Sequence, residues 1–415
     1  MKRSKKLNNL IFYLLFLANS IYPLAVTPLL SKKFGIDAYG EISFYQSIGM
    51  MASIFTDFGF NVTAVRRFAE IKENKVDIKL LIFNILGAKT ILFATSSVFI
   101  AVLSYFKFLN TPNTMLLVLS VLNFIAISFT MQWFFQGNGM QFRYFFMLFL
   151  SKLILLPGII ICTNVVQWFE INLLSSVILL ITVWINLHSY APISQIRFNM
   201  VGIFFELKQS INAFSSQIFI SMYTLATSIY LGNRVSHYDL AYFSTAEKVT
   251  RLASYLNTPI FQIYFPKFIQ VFQKNNIDKN KAEKKELFRA IIAIFCIGCC
   301  SSAFIYFSAE HISNFFLGER SSKGVNYLHL MAILPVFFAF ASIAYYFFII
   351  PMKSEKYLLY VYGFVAMFNL IFLPILTWRF SGYGASYAIL TSEILVVILS
   401  FFIVFKSRKL IAAYL

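Results

Sequence analysis

Residues Gly384–Phe405 read GASYAILTSEILVVILSFFIVF, 22 residues with a single charged side chain, Glu393. About 20 apolar residues in a helix cross the roughly 30 Å hydrocarbon core of a bilayer. Eleven further runs of this length precede it, near 9–30, 41–62, 80–104, 114–135, 144–164, 171–190, 209–232, 241–265, 288–308, 326–350 and 357–378. The whole chain of 415 residues is 59% hydrophobic and 13% charged, with 50 Phe. Soluble domains run at about 45–50% apolar and about 25% charged. A soluble enzyme, a disordered chain and a disulfide-rich secreted domain are therefore excluded. The sequence predicts an all-α polytopic membrane protein of twelve transmembrane helices.

The net charge of +18 suggests nucleic acid in a soluble protein, but here it is loop charge. With the N-terminus in the cytoplasm, 24 of the 35 basic residues fall on cytoplasmic segments, seven on external loops and four inside spans. The positive-inside rule then places both termini in the cytoplasm. Met1–Lys6 is basic, and the apolar run after it is too long for a signal h-region and lacks a small-residue cleavage site. It reads as a retained first span. The two long basic cytoplasmic segments follow the second and eighth spans, so the plan repeats at an offset of about 200 residues. Two parallel six-helix halves, 1–200 and 201–415, follow, a plan that builds carriers whose substrate path lies between bundles.

No external loop is long enough to carry a catalytic domain. No G-x-x-x-x-G-K-[ST] motif is present, so the chain does not hydrolyse ATP itself. His188, His237, His311 and His329 lack metal-ligand spacing. Cys162, Cys296, Cys299 and Cys300 lie in apolar runs and read as small packing residues. No cofactor is expected. Trp133, Trp168 and Trp378 near span ends read as interfacial anchors, and Gly137-Asn138-Gly139 as a turn. Prolines in spans, among them Pro157, Pro335 and Pro374, are candidate kinks.

The informative residues are charges inside spans, each costing about 2.5–3.5 kcal/mol at a helix centre on insertion scales. At about 1.5 Å per residue, Lys89 lies about 14 Å deep, Lys152 about 12 Å and Arg251 about 15 Å, with Lys248 one turn shallower. Two cations per half near mid-membrane suit an anionic substrate, and these four are the candidate substrate-binding residues. For Lys89 and Lys152 the competing reading is snorkelling to the interface. Glu247 precedes Arg251 by four residues, so an intrahelical ion pair can absorb that charge. Glu393 is either a cation-coupling group or half of an interhelical pair. Asn19, Tyr22, Tyr45, Gln46, Gln217 and Tyr223 are candidate path-lining residues.

Two stretches, Phe34-Gly35-Ile36-Asp37-Ala38-Tyr39-Gly40 and Asp57-Phe58-Gly59-Phe60-Asn61-Val62-Thr63-Ala64-Val65-Arg66-Arg67, carry a family resemblance. They are followed in order by Gln132-Trp133-Phe134-Phe135-Gln136-Gly137, Ala246-Glu247-Lys248 and Gly382-Tyr383-Gly384-Ala385-Ser386. The set strongly resembles bacterial O-antigen flippases, the polysaccharide-transport branch of the multidrug/oligosaccharidyl-lipid/polysaccharide exporter superfamily. One departure is Asn138-Gly139, where relatives often carry an acidic residue, and that turn receives no role. The resemblance implies a MATE-like arrangement of two six-helix lobes around a cavity that opens alternately to each side. It implies a bacterial inner-membrane location and an undecaprenyl-pyrophosphate-linked oligosaccharide cargo. It also implies coupling to an H+ or Na+ gradient, and a polysaccharide polymerase and chain-length regulator as partners. Asp57 and Arg66, at the cytoplasmic end of the second span, read as gating or anchoring residues, with Glu247 and Glu393 as coupling candidates. Competing functions are a drug or cation antiporter on the same fold and a membrane enzyme of polysaccharide assembly.

Overall fold

In lipid each backbone N–H and C=O must be satisfied within its own segment, so apolar runs of this length become helices. A computed structural model describes residues 19, 21–71, 75–188, 190–192, 199–257, 260–261, 264, 281–318, 321–351 and 356–406. Among the described residues there is no strand. The helices are α1 (residues 21–34), α2 (Ile36–Asp57), α3 (Phe60–Ile71), α4 (Lys75–Tyr105), α5 (Thr114–Ser128), α6 (Gln132–Gly137), α7 (Gln141–Leu153), α8 (Leu155–Ile161) and α9 (Val165–Leu187). They continue as α10 (Met200–Arg234), α11 (His237–Tyr255), α12 (Lys281–Phe307), α13 (Ala309–Leu317), α14 (Ser322–Met331), α15 (Leu334–Ile343), α16 (Lys356–Phe380) and α17 (Tyr383–Lys406).

Nine helical stretches among the described residues are long and apolar enough to cross a membrane. They match the runs expected between 41 and 190 and between 288 and 405. Half of the run at 9–30 lies outside the described residues, as do part of 241–265, the basic segment 265–280 and most of both basic tails. The runs at 209–232 and 241–265 fall on α10 and α11, which carry more polar side chains.

Several runs that read as single spans are broken. Left-handed residues separate α2 from α3, with φ of 44° at Phe58 and 76° at Gly59, and Met131, φ 49°, precedes α6. The α7/α8 break at Ile154 precedes Pro157, whose missing N–H leaves a carbonyl in the preceding turn unsatisfied. Pro335 starts α15, whereas Pro374 lies inside an unbroken α16. A π-helical turn, Ala344–Ile349, follows α15.

Two compact units result, Met1–Ser221 and Met222–Leu415, with the division inside α10. In the first, Phe60, Phe68, Phe83, Trp133, Phe134 and Leu179 belong to one buried cluster. In the second, α16 packs along α17 and α12 along α15. The tryptophans correct the sequence reading: Trp133 and Trp168 are fully buried core residues, and only Trp378, 88% exposed, stands at a span end as an anchor does. Cys162 is buried, whereas Cys296 and Cys300 face outward on α12. Gly139, φ 71°, makes the expected turn after α6.

Candidate functional site

In the first unit Asp57 is the last residue of α2, and the left-handed pair after it turns the chain. Helix C-termini carry unsatisfied carbonyls and a partial negative charge. Lys89, fully buried on the unbroken α4, points its ammonium at two such ends. Its Nζ donates to Asp57 Oδ1 at 2.7 Å and to the carbonyl of Ser128, the last residue of α5, at 2.5 Å. Lys89 therefore neither snorkels to the interface nor stands as an open cation beside Lys152. Its charge is consumed by a carboxylate and a helix end.

Lys152 lies at the end of α7, beside the break that Pro157 accompanies. Its Nζ sits 4.9 Å from the centre of the Tyr22 ring and donates a long hydrogen bond, 3.4 Å, to the Asn19 carbonyl. Among the described residues no carboxylate pairs with it, and the buried Tyr22 hydroxyl has no hydrogen-bond partner among them. Arg66 projects outward, its side chain 82% exposed, with Glu70 at 3.8 Å. Its neighbour Arg67 turns inward to Glu206 at 3.8 Å and the Phe205 ring on α10.

In the second unit Glu247 and Arg251, one turn apart on α11, form the expected pair. Arg251 Nε and one terminal nitrogen donate to the same Glu247 oxygen at 2.9 and 2.8 Å. Glu393, buried on α17, meets this pair from another helix. It lies within electrostatic range of Arg251, Glu247 and Tyr223 of α10. Lys248 is partly buried on α11. The structure thus places Glu393 within electrostatic range of the Glu247–Arg251 pair and sets Lys89 with Asp57, while elsewhere in the first unit Lys152 and Arg66 make other contacts.

Sequence reasoning passes over several polar residues here. Asn369, fully buried on α16, accepts from Thr227 Oγ1 at 3.2 Å and donates to Ser392 Oγ at 3.0 Å and the Ala388 carbonyl at 3.3 Å. Asp239 accepts from Tyr327 at 2.9 Å and pairs with Lys323 at 3.0 Å. An uncharged Asn in an apolar run was the available signal for the first. Of the candidate path-lining residues, Tyr45 is core, its hydroxyl accepting the Asn113 N–H at 3.1 Å. Gln217 is exposed and Gln46 half-buried. The described residues contain no cluster suited to a metal ion.

Residues 7–272 match the sequence profile of a family described as polysaccharide biosynthesis protein. A Shigella dysenteriae protein named "Putative O-antigen transporter" is 25% identical over 403 residues, covering 95% of this chain and 98% of the relative. A relative of the same name from Escherichia coli strain K12 is 21% identical over 402 residues, covering 95% of each. Among solved structures, an inward-facing multidrug resistance MATE family transporter of the MOP superfamily aligns with a TM-score of 0.69 at 16% identity, over 95% of this chain and 98% of its own. The lipid II flippase MurJ, in an inward closed conformation, aligns with a TM-score of 0.63 at 16% identity, over 98% of this chain and 89% of its own. At these identities the structural likeness speaks to the fold alone.

Proposed function

Because the chain belongs to the polysaccharide biosynthesis protein family, we propose that it is a flippase for lipid-linked O-antigen repeat units in the bacterial inner membrane. The cargo is an undecaprenyl-pyrophosphate-linked oligosaccharide, moved from the cytoplasmic to the periplasmic leaflet by alternating access. Twelve spans in two six-helix lobes, 1–200 and 201–415, with both termini in the cytoplasm, complete the reading.

The observation that carries it is Lys152. A pyrophosphate diester bears about two negative charges, and taking it into an apolar medium requires cations that are not already neutralised. Lys152 holds an embedded positive charge against an aromatic face and a carbonyl, with no carboxylate among the described residues. Lys248 is a further cationic candidate, on α11 of the second unit, whereas Arg251, like Lys89, already holds a carboxylate partner, Glu247. Lys89, committed to Asp57, is proposed as a support of the helices and not as a ligand. Glu393, buried within electrostatic range of Arg251 and Tyr223, is the proposed point of H+ or Na+ coupling. The polymerase and chain-length regulator are the proposed partners in the membrane.

The test is deletion and complementation. Loss of the protein should remove long surface polysaccharide and leave drug sensitivity unchanged. Increased drug sensitivity with intact polysaccharide would support an exporter instead. A surface glycan of one repeat unit would point to a polymerase.

A further inference from the structure

The geometry points to a hinged cytoplasmic cap in the first unit: α3 and α6 move as one piece about two facing helix breaks, with Lys89 as the pivot between them. The inference goes beyond the flippase reading and rests on it only for the ligand that drives the motion.

Two neighbouring helices break at matching places. α2 packs along α5, α2 stops at Asp57 before a left-handed Phe58-Gly59, and α5 stops at Ser128 before a left-handed Met131. A helix break removes the i→i−4 ladder across the joint, so the direction of the segment beyond it is fixed only by side-chain packing and by the Lys89 tie. One ammonium ties both joints. Lys89 bonds the Asp57 carboxylate and the Ser128 carbonyl at once, from a helix that itself runs unbroken past them.

Beyond the breaks, α3 and α6 pack on each other within a buried cluster that continues onto Phe83 of α4 and Leu179 of α9. Phe68 meets Phe134 edge to face with ring centres 5.7 Å apart. Gly137 lies so close to Phe68 that a Cβ there would fall 2.8 Å from its ring. Phe60 and Trp133 are buried in the same cluster. Close-packed groups transmit displacement and do not deform smoothly, so α3 cannot tilt without carrying α6.

The cap also grips α10. Thr63 and Ser210 hydroxyls are 2.6 Å apart, and Arg67 reaches Glu206. At Gly59 a Cβ would meet Ala213 Cβ and the Phe214 nitrogen at 2.8 Å each.

Pulsed electron resonance distances between spin labels test this on the full chain with its four cysteines replaced. One pair lies within the cap, Ala69→Cys with Gln136→Cys, and one joins cap to stem, Ala69→Cys with Met50→Cys. Lys89→Met should broaden the cap–stem distribution without ligand, while the within-cap distribution stays narrow. Lys89→Met with Asp57→Leu, which also lacks the tie but buries no lone charge, should do the same. Added undecaprenyl pyrophosphate should shift the cap–stem distance of the native pivot by about 5 Å, the size of a one-turn helix displacement. An unchanged cap–stem distribution in both pivot variants, or equal broadening within the cap, overturns the hinge. A hinge revealed by the variants but unmoved by undecaprenyl pyrophosphate upholds the hinge and counts against the cargo.

Discussion

Replacing Lys89 by Met removes the positive member of a buried pair and leaves the Asp57 carboxylate behind. The Asp57 side chain is only 18% exposed, and the 2.7 Å bond it accepts from Lys89 is charge-assisted. Breaking a buried ion pair from one side costs about 3–5 kcal/mol, mostly the desolvation of the stranded charge. The Ser128 carbonyl loses a donor as well, adding about 1 kcal/mol. Set against a native stability of about 5–15 kcal/mol, a loss of about 4–6 kcal/mol should sharply reduce the amount of folded protein in the membrane. Removing both charges is different. In Lys89→Met with Asp57→Leu no charge is stranded, and such replacements are often neutral or stabilising by about 1–4 kcal/mol. The double variant should regain most of the lost stability and, because neither group touches cargo in this reading, surface polysaccharide as well. Abundance and melting of detergent-extracted protein, read beside polysaccharide on gels from a deletion strain, separate the cases. Lys89→Met as stable as wild type would refute the energetic argument. A double variant that is abundant yet makes no polysaccharide would show that the Lys89–Asp57 tie serves transport itself and is more than a support of the fold.

Lys152→Met should behave in the opposite way: it gives up a cation–π contact and a long hydrogen bond, about 1 kcal/mol, yet abolishes surface polysaccharide, and full polysaccharide with the variant at normal abundance rejects the headgroup contact. Gly59→Ala forces a side chain onto a left-handed backbone, about 1–2 kcal/mol, and drives its Cβ against Ala213 and the Phe214 backbone. Overpacking adds about 1–3 kcal/mol, so its melting temperature should fall well below that of Ala substitution at the open turn residue Gly139, and equal melting contradicts the close approach. Asn369→Leu loses its bonds to Thr227, Ser392 and the Ala388 carbonyl, at about 0.6 kcal/mol each inside a membrane, a loss of about 2 kcal/mol that chemical or thermal unfolding in detergent measures. Glu393→Gln should leave protein abundance unchanged and make transport in vesicles indifferent to collapse of the H+ or Na+ gradient; continued dependence on the gradient moves coupling elsewhere.

The helices were legible in the sequence because hydropathy is a one-dimensional property, and runs such as 80–104 and 384–405 became α4 and α17 with ends shifted by a few residues. The Glu247–Arg251 pair was legible for a related reason: four residues along one helix fix the partner. The break beside Pro157 falls where a kink was expected, but those at Phe58 and Met131 were not legible. Phe58-Gly59 and Thr130-Met131 are as apolar as the runs around them, and hydropathy carries no record of backbone direction. Only the positive φ at Phe58 and Met131 reveals that α2 and α5 stop where their runs continue. The same limit applies to Lys89. A sequence gives the depth of a charge, but the partner of Lys89 lies 32 positions away on another helix, and that partner decides whether the ammonium is available to a ligand. Trp133 shows the error in reverse, since proximity to a span end suggested an interfacial ring, and a local break swung it into the core. Where a span breaks therefore determines which of its polar and aromatic groups face cargo. In this chain the breaks at Asp57 and Ser128 consume one embedded cation, while Lys152, beside the break at Ile154, keeps its charge clear of any described carboxylate.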